Sequence, residues 1–302
     1  MSDRPRDTTP VNTMLLAITA CLLWSTAFVG VKIGLLYSPP LSFAAIRFML
    51  SGLLLTPFWL TRPGIFRSIL ENWKTICLLA LFQTFLLYGL FYIGMTMIGG
   101  ALAAIIIGAS PLTSALTAHY CLRSEPMTRA KSLSLGVGLL GIIIISLSRL
   151  PWISPQGFNE LLGIFLLLLS TVFSAYGNVL IVKNPGGLDA IPLNSLQIFT
   201  GGLLLFILSL PLEGLPILEK PWQYYTALSW LSVLSATAFS LWFYLLKRRG
   251  VTVSRLNLWK FVIPVAGAIF SWLFLPGESP GLYPILGMLC VASAILLYYQ
   301  TE

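Results

Sequence analysis

Four basic side chains fall inside apolar stretches that are long enough to cross a lipid bilayer: Lys32, Arg47, Arg255 and Lys260. An unpaired charge at the centre of a membrane helix costs about 2.5–3.5 kcal/mol, so each of these positions needs a physical reason. Arg255 lies about four residues, or ~6 Å, inside its predicted helix, and its long side chain can reach water. Lys260 lies about nine residues, or ~14 Å, inside the same helix and therefore close to the membrane centre.

Lys260 is the strongest candidate for chemistry because no Asp or Glu is predicted at a comparable depth. Its charge must then be met by water, by backbone carbonyls freed near Pro264, or by a ligand. We expect Lys260 to bind an anionic or carboxylate-bearing ligand. A lysine in a wet crevice without ligand contact is the alternative.

Lys32 and Arg47 stand at similar distances on either side of the Pro-Pro turn at 39–40, which places both in the outer half of adjacent predicted helices. We expect one basic pair that lines or closes that half, with ligand contact as an open alternative. Pro111 and Pro264 each remove a backbone hydrogen bond, so they predict matched kinks that flex. A static bend is the competing interpretation.

The remaining ionisable residues do not assemble a catalytic or metal site. All ten acidic residues are predicted in tails, loops or helix ends, as is the single histidine, His119, and the four cysteines show no CxxC spacing. Intramembrane catalysis needs a nucleophile with a partner base or a metal, and a proton relay needs buried Asp, Glu or His. We therefore expect no enzyme activity, no metal, no cofactor and no carboxylate proton relay.

The composition excludes an ordinary soluble domain. Of the 302 residues, 57% are hydrophobic and only 9% are charged, and the mean hydropathy is +0.88. A soluble core would need a shell of charged residues that this chain lacks. The net charge of +8 would suggest nucleic acid in a soluble protein, but here the basic residues lie in short gaps between apolar runs. The expected surroundings are lipid, and nucleic acid is not an expected partner.

Ten apolar runs are long enough to span about 30 Å of hydrocarbon as helices. They predict an all-α integral membrane protein with helices at 11–37, 40–61, 74–95, 99–120, 132–149, 160–182, 190–212, 223–246, 251–275 and 281–299.

The basic residues in the gaps predict the orientation, because Lys and Arg accumulate in cytoplasmic loops. With both termini inside, the outer loops hold only Arg149 and Lys220. The inner segments then hold twelve basic residues: Arg4, Arg6, Arg62, Arg67, Lys74, Arg123, Arg129, Lys131, Lys183, Lys247, Arg248 and Arg249. We therefore expect both termini on the cytoplasmic side.

The two halves of the chain resemble each other. Pro111-x3-Ala115-x9-Glu125 recurs 153 residues later as Pro264-x3-Ala268-x9-Glu278, and the motif GLLL at 52–55 recurs at 202–205. Each half, 11–149 and 160–299, then holds five helices, and an odd number turns the second copy upside down. Inverted repeats allow a carrier to expose one central site to each side in turn. Duplication without such a mechanism is the plainer alternative.

The motifs of the first half resemble a known family. The run LWSTAFVGVK at 23–32, Ser38-Pro39, Arg47-Phe48 and the Pro111–Glu125 spacing are similar to those of the drug/metabolite transporter superfamily, EamA-like branch. The second half keeps Pro264 and Glu278 but replaces the tryptophan and the arginine with Ser174 and Gln197. The resemblance implies a ten-helix inverted-repeat carrier in a bacterial cytoplasmic (inner) membrane. It also implies a central cavity lined by the first four helices of each half.

The resemblance places several further side chains near that cavity. Mid-span polar groups need hydrogen-bond partners, and aromatic groups can hold a substrate, although packing between helices is the alternative for each. Asn257-Leu258-Trp259-Lys260 also resembles the lysine by which sugar-phosphate carriers of this superfamily hold an anion. Besides Lys260, the expected substrate-binding residues are Trp259, Asn257, Tyr88, Trp242, Tyr176, Asn178 and Trp24.

We therefore expect a secondary transporter that moves a small organic metabolite, amino-acid-like or otherwise carboxylate-bearing or anionic, by alternating access. A channel-like facilitator and an exporter of aromatic or cationic drugs are the alternatives. The sequence does not specify the substrate, the direction of transport, the coupling ion or the oligomeric state.

Overall fold

The computed structural model describes residues 10–122, 129–147, 155–184, 187–217, 219–248, 251 and 253–299, and these fold into helices joined by short connections. The first half forms α1 (Pro10–Leu35), α2 (Pro40–Leu55), α3 (Ile65–Glu71), α4 (Trp73–Leu79), α5 (Leu87–Met97), α6 (Gly100–Ile107), α7 (Ser110–Cys121) and α8 (Arg129–Leu147). A π-helical stretch, Ala80–Leu86, joins α4 to α5, and a 3-10 turn, Thr56–Phe58, extends α2.

The second half forms α9 (Pro155–Lys183), α10 (Ala190–Glu213), α11 (Trp222–Leu246), α12 (Val253–Asn257), α13 (Val262–Phe274) and α14 (Leu282–Tyr299). A 3-10 turn, Leu258–Phe261, joins α12 to α13. The Glu125 of the repeated motif lies outside the described residues.

Seven helical stretches in the described residues are long and apolar enough to cross a bilayer. They are Asn12–Leu35, Pro40–Phe58, Trp73–Met97, Gly100–Cys121, Gly157–Lys183, Ala190–Glu213 and Trp222–Leu246. Three shorter apolar helices, Ser132–Gly141, Val262–Phe274 and Leu282–Ala294, fall where the other three spans were predicted. The prediction of one continuous helix over 251–275 differs from the structure, because the 3-10 turn interrupts it.

The repeated GLLL motifs meet each other where α2 packs against α10. A Cβ added to Gly52 would lie 2.6 Å from the Phe199 Cβ atom, and one added to Gly202 would lie 2.9 Å from the Met49 nitrogen. The hydrophobic effect does not drive helices together inside a membrane, and small residues allow the close van der Waals packing that does. The Ser195 hydroxyl then donates to the Gly52 carbonyl at 2.7 Å across the same contact.

Both spans that carry the matched prolines are broken rather than kinked. Pro111 lies in the first turn of α7, after a break at Gly108, and Pro264 is the third residue of α13, after the 3-10 turn. A proline in a first turn costs little, because the first N–H groups of a helix have no partner within it. The two breaks touch, since a Cβ added to Gly108 would lie 2.6 Å from the Pro264 Cγ atom.

Helices α8 and α14 pack mainly on each other, beside the other helices. The remaining helices surround the centre of the molecule, where α1 contacts α11 and α13, and α9 contacts α5 and α7. This arrangement places α1 and α9, together with the two broken spans, around one central cavity.

Candidate functional site

The central cavity receives side chains from both halves of the chain. Its volume is about 90 Å³, whereas pockets that hold small molecules usually measure about 300–1,000 Å³. The cavity is therefore narrow in this conformation. The cavity is lined by Trp24, Ala27, Phe28, Arg47, Gln83, Leu87, Tyr88, Phe91, Ile107, Ser110, Thr171, Ser174, Phe239, Trp242, Lys260 and Ile263.

Lys260 reaches this cavity from the 3-10 turn between α12 and α13 and is 6% exposed. Its Nζ atom lies 4.9 Å from the ring centroid of Trp242 and 5.7 Å from that of Trp24. In the part of the chain that the structure describes, no hydrogen bond or ion pair to this Nζ is present. Two aromatic faces therefore stabilise the ammonium group through cation–π attraction, and no carboxylate within the described ranges pairs with it.

Arg47 lines the same cavity and is 1% exposed. Its Nε atom donates to the Ser235 hydroxyl at 3.0 Å, and its NH1 atom donates to the Tyr92 hydroxyl at 2.7 Å. Its guanidinium carbon also lies 4.8 Å from the Phe48 ring centroid. These contacts hold the guanidinium in one orientation, and they leave the net positive charge of the cavity uncancelled.

Aromatic rings form much of the cavity wall. The ring centroids of Trp24 and Trp242 are 5.1 Å apart, and those of Trp24 and Phe239 are 5.3 Å apart. Tyr88 packs against Phe239 at 5.9 Å and against Phe48 at 4.4 Å. The wall thus joins α1, α2, α5 and α11 and suits the apolar body of a small molecule.

Several buried polar atoms of the lining residues have no hydrogen-bond partner among the residues that the structure describes. They are the indole Nε1 atoms of Trp24 and Trp242, the Oγ atom of Ser110 and the Oε1 atom of Gln83. An unpaired buried polar group is costly, and such groups are found where a ligand or water completes the bonding. Three of these four atoms can donate, so with Lys260 the cavity offers mainly donors.

The π-helical stretch carries two buried polar side chains, Gln83 and Thr84. The Thr84 hydroxyl donates to the Gln197 Oε1 atom at 2.7 Å, and the Gln197 amide donates to the Asn194 Oδ1 atom at 3.0 Å. Asn194 donates in turn to the Ser240 hydroxyl at 3.0 Å. This network fixes the π-helical turn that carries Gln83 to the cavity, and π-bulges are frequent at functional sites.

Four predicted substrate-binding residues lie outside the cavity lining. Asn178 donates to the Asn257 Oδ1 atom at 3.4 Å, and Asn257 donates to the Val253 carbonyl at 2.8 Å, so one hydrogen bond joins the two asparagines between helices. Tyr176 packs its ring against Phe82, with centroids 4.8 Å apart. Trp259 is partly buried against the hydrophobic core.

Lys32 and Arg47 bind different parts of α5, Lys32 at its C-terminal end and Arg47 at the Tyr92 hydroxyl. The Lys32 Nζ atom donates to the Met95 carbonyl at 3.0 Å and to the Ile98 carbonyl at 2.9 Å, which caps the end of α5. Basic groups stabilise helix C-termini in this way. Of the predicted gating residues, Arg47 alone reaches the cavity, whereas Pro111 and Pro264 are buried at the helix breaks beside it.

Two carboxylates cap helix N-termini that belong to the opposite half of the chain. Glu278 accepts from the Gly100 nitrogen at 2.5 Å and from the Ala101 nitrogen at 2.8 Å. Glu213 accepts from the nitrogens of Leu41 and Ser42, both at 2.8 Å. Helix N-termini favour negative charge, so both contacts hold the two halves together at one end of the cavity helices.

In the described residues, no cluster of three or more His, Cys, Asp or Glu side chains could hold a metal ion. The cavity lining combines the lysine ammonium group, the fixed arginine and the aromatic wall. The sequence predicted a place at the cavity for Lys260, Trp24, Tyr88, Trp242 and Arg47, and these five residues line it. The prediction missed the contributions of Phe239 and Ser110, for which only their positions in apolar helices were available as a signal.

A protein family and individual proteins that resemble this chain are described as transporters. The family model described as "EamA-like transporter family" matches residues 11–147 and 161–300. The "Uncharacterized transporter YvbV" of Bacillus subtilis is 29% identical over 285 residues, which cover 94% of this chain and 90% of that protein. The "Uncharacterized inner membrane transporter YedA" of Escherichia coli K12 is 24% identical, over 91% of this chain and 87% of that protein.

A protein crystal structure shares the fold with a TM-score of 0.71 and 16% identity, covering 97% of this chain and 99% of that one. At this identity the likeness shows the fold alone. The family match, by contrast, covers nearly the whole chain in two stretches. The chain therefore belongs to the EamA-like transporter family, which makes it an integral membrane transporter and not an enzyme.

Proposed function

We propose that this transporter moves a small carboxylate-bearing or otherwise anionic metabolite by alternating access, with Lys260 as the anion-binding group. The proposed architecture has ten membrane spans in two inverted five-helix halves, 11–149 and 160–299. The observation that carries the proposal is the Lys260 ammonium group, which lies in the central cavity beside two tryptophan rings and without a carboxylate among the described residues.

The helix contacts support two halves related by a two-fold axis. Helix α1 packs on α11, and its proposed counterpart α9 packs on α5, which is the counterpart of α11. The elements α2 and α10, α6 and α13, and α8 and α14 each pack on their own counterpart. The matched positions Ile107 and Lys260 line the cavity from opposite halves, as do Trp24 and Ser174.

The charge of the cavity favours an anionic substrate over a cationic drug. Arg47 and Lys260 both line the cavity, and the described lining contains no Asp or Glu. A cation would therefore meet like charge in a site of low polarity, where such repulsion is strong. A carboxylate would instead accept hydrogen bonds from Lys260 and from the tryptophan and serine donors.

The narrowed cavity favours a carrier over a channel. Its volume of about 90 Å³ is too small for most metabolites, and the cross-half caps at Glu213 and Glu278 hold one end together. Loading then requires the halves to separate on one side, which inverted repeats accomplish by rocking about a fixed site. The positive-inside distribution supports cytoplasmic termini in a bacterial inner membrane.

The test compares Lys260→Met with Lys183→Met, which removes an exposed lysine outside the cavity. Purified protein is screened by thermal unfolding against carboxylates, phosphate esters, amino acids and cationic amines. A ligand at 100 times its Kd stabilises the protein by about 2.7 kcal/mol. We expect anions to raise the melting temperature of the wild type and of Lys183→Met. Lys260→Met should lose the response, because it removes the cationic partner of a buried ion pair. Such a loss weakens binding by about 2–4 kcal/mol, or roughly 30- to 1000-fold in affinity.

Folding and transport are measured on the same variants. Lys260→Met without ligand should unfold at or above the wild-type temperature, because the removed charge has no acidic partner and methionine keeps contact with the rings. Proteoliposomes preloaded with the identified anion should show countertransport, which a channel does not show. Wild-type affinity in a folded Lys260→Met variant would refute the anion site, and flux without countertransport would refute the carrier mechanism.

A further inference from the structure

We propose that the groove between α2, α10 and α11 binds an anionic phospholipid, with an acyl chain lying along α11. The site is separate from the central cavity, and the name of the leaflet rests on the proposed orientation of the chain. The walls of this lipid groove include Leu54, Phe58, Ile191, Val233, Thr237 and Tyr244.

The groove has the length of one bilayer leaflet. Along α11 it extends from Val233 to Tyr244, about eleven residues or ~16 Å at 1.5 Å per residue. Half of a hydrocarbon core of about 30 Å is ~15 Å. The large apolar walls are open to the surroundings, since Val233 is 51% exposed and Phe58 is 67% exposed. An acyl chain from the adjacent leaflet can therefore fill the groove from its mouth to the bilayer centre.

Basic groups surround the end of the groove where a headgroup would lie. Arg62 lines this end and pairs with Asp189 at 3.0 Å. The Lys247 Nζ atom donates to the carbonyl of Leu188, and the guanidinium of Arg248 lies 5.5 Å from the Tyr244 ring centroid.

These described rim residues carry three positive charges against one carboxylate. Burial lowers the pKa of Lys247, and the nearby Asp189 carboxylate opposes that shift. The remaining positive charge attracts the phosphodiester of a lipid headgroup. The attraction between a basic residue and an anionic membrane surface contributes about 1 kcal/mol for each such residue. Tyr244 lies at the same end of the groove, and aromatic residues favour the boundary between hydrocarbon and headgroups.

The same charges disfavour a second copy of the chain as the occupant. In a two-fold symmetric dimer each surface meets itself, so the basic rim of one copy would lie close to the rim of the other. A phospholipid satisfies both ends of the groove, because its chain covers the apolar walls and its phosphate faces the rim. In the proposed orientation this rim, and therefore the lipid, belongs to the cytoplasmic leaflet.

The test is native mass spectrometry of delipidated, detergent-purified protein titrated with phosphatidylglycerol or with phosphatidylcholine. Two variants remove the proposed contacts: Arg62→Gln lowers the rim charge, and Thr237→Trp fills the groove from an exposed position. Their matched controls are Arg67→Gln, an exposed arginine that pairs with Glu71, and Val172→Trp, an exposed position on α9. Thermal unfolding checks that all four variants are folded.

We expect phosphatidylglycerol to bind the wild type and both controls more tightly than phosphatidylcholine. Arg62→Gln should weaken phosphatidylglycerol about fivefold and phosphatidylcholine much less, which corresponds to ~1 kcal/mol for one basic residue. Thr237→Trp should weaken both lipids. Equal binding of the two lipids, or unchanged binding in folded Thr237→Trp, would overturn the proposal. A dimer that Thr237→Trp dissociates would also overturn it, because the groove would then be an interface between copies.

Discussion

The carboxylate of Glu278 caps a helix of the other half, and its removal gives a test of how the halves are held together. Glu278 accepts from the nitrogens of Gly100 and Ala101 at the start of α6, at 2.5 and 2.8 Å. Both of those residues are buried, so water is a poor substitute for the carboxylate. Glu278→Ala therefore leaves two helix N–H groups without an acceptor.

The expected cost follows from these two hydrogen bonds. A hydrogen bond to a charged group contributes about 1.5–3 kcal/mol, and partial access of water to the loop favours the lower end. We expect Glu278→Ala to lower the free energy of unfolding by about 2–4 kcal/mol, which corresponds to roughly 3–6 °C in melting temperature for a protein of this size. Glu278→Gln keeps one acceptor oxygen and should lose about half as much.

The assay is thermal unfolding of the purified protein in one detergent, with Glu219→Ala as the control. Glu219 is an exposed carboxylate in the connection between α10 and α11, so its loss should move the melting temperature by about 1 °C or less. The reasoning fails if Glu278→Ala melts with the wild type, because the cap would then contribute nothing. It also fails if Glu278→Gln is as damaging as Glu278→Ala, because the remaining oxygen would then be irrelevant.

Three further outcomes are expected. In thermal unfolding, Gly108→Ala should destabilise the protein by about 1–3 kcal/mol, because the new Cβ would lie 2.6 Å from the Pro264 Cγ atom. The control Gly136→Ala places its Cβ where no atom lies within 4 Å, so it should be neutral or stabilising. Arg47→Lys should lower the melting temperature, because an ammonium group cannot reproduce the planar contacts with Tyr92 and its neighbours; an unchanged melting temperature would contradict this role. Flux of the identified anion in proteoliposomes should not depend on an imposed pH gradient, and a tight proton stoichiometry abolished by neutralising one acid would show that a carboxylate relay exists.

The sequence alone determined the features that depend on local pattern. Apolar runs of sufficient length predicted the membrane helices, and their boundaries agree with most of the described helices to within a few residues. The depth of Lys260 and the scarcity of acids within the runs singled out that lysine. The repeated motifs paired Pro111 with Pro264 and the glycine at 52 with the glycine at 202. Each of these inferences depends on spacing along the chain, which is directly readable.

Only the tertiary structure decided which distant side chains meet. Asn178 and Asn257 bind each other instead of lining the cavity, whereas Trp24 and Trp242 come together around Lys260 from opposite halves. Such contacts join residues that are separated by many tens of positions, and helical periodicity carries no information about which faces will pack. The same polar side chain can therefore serve packing or binding, and the packing of the helices decides between the two.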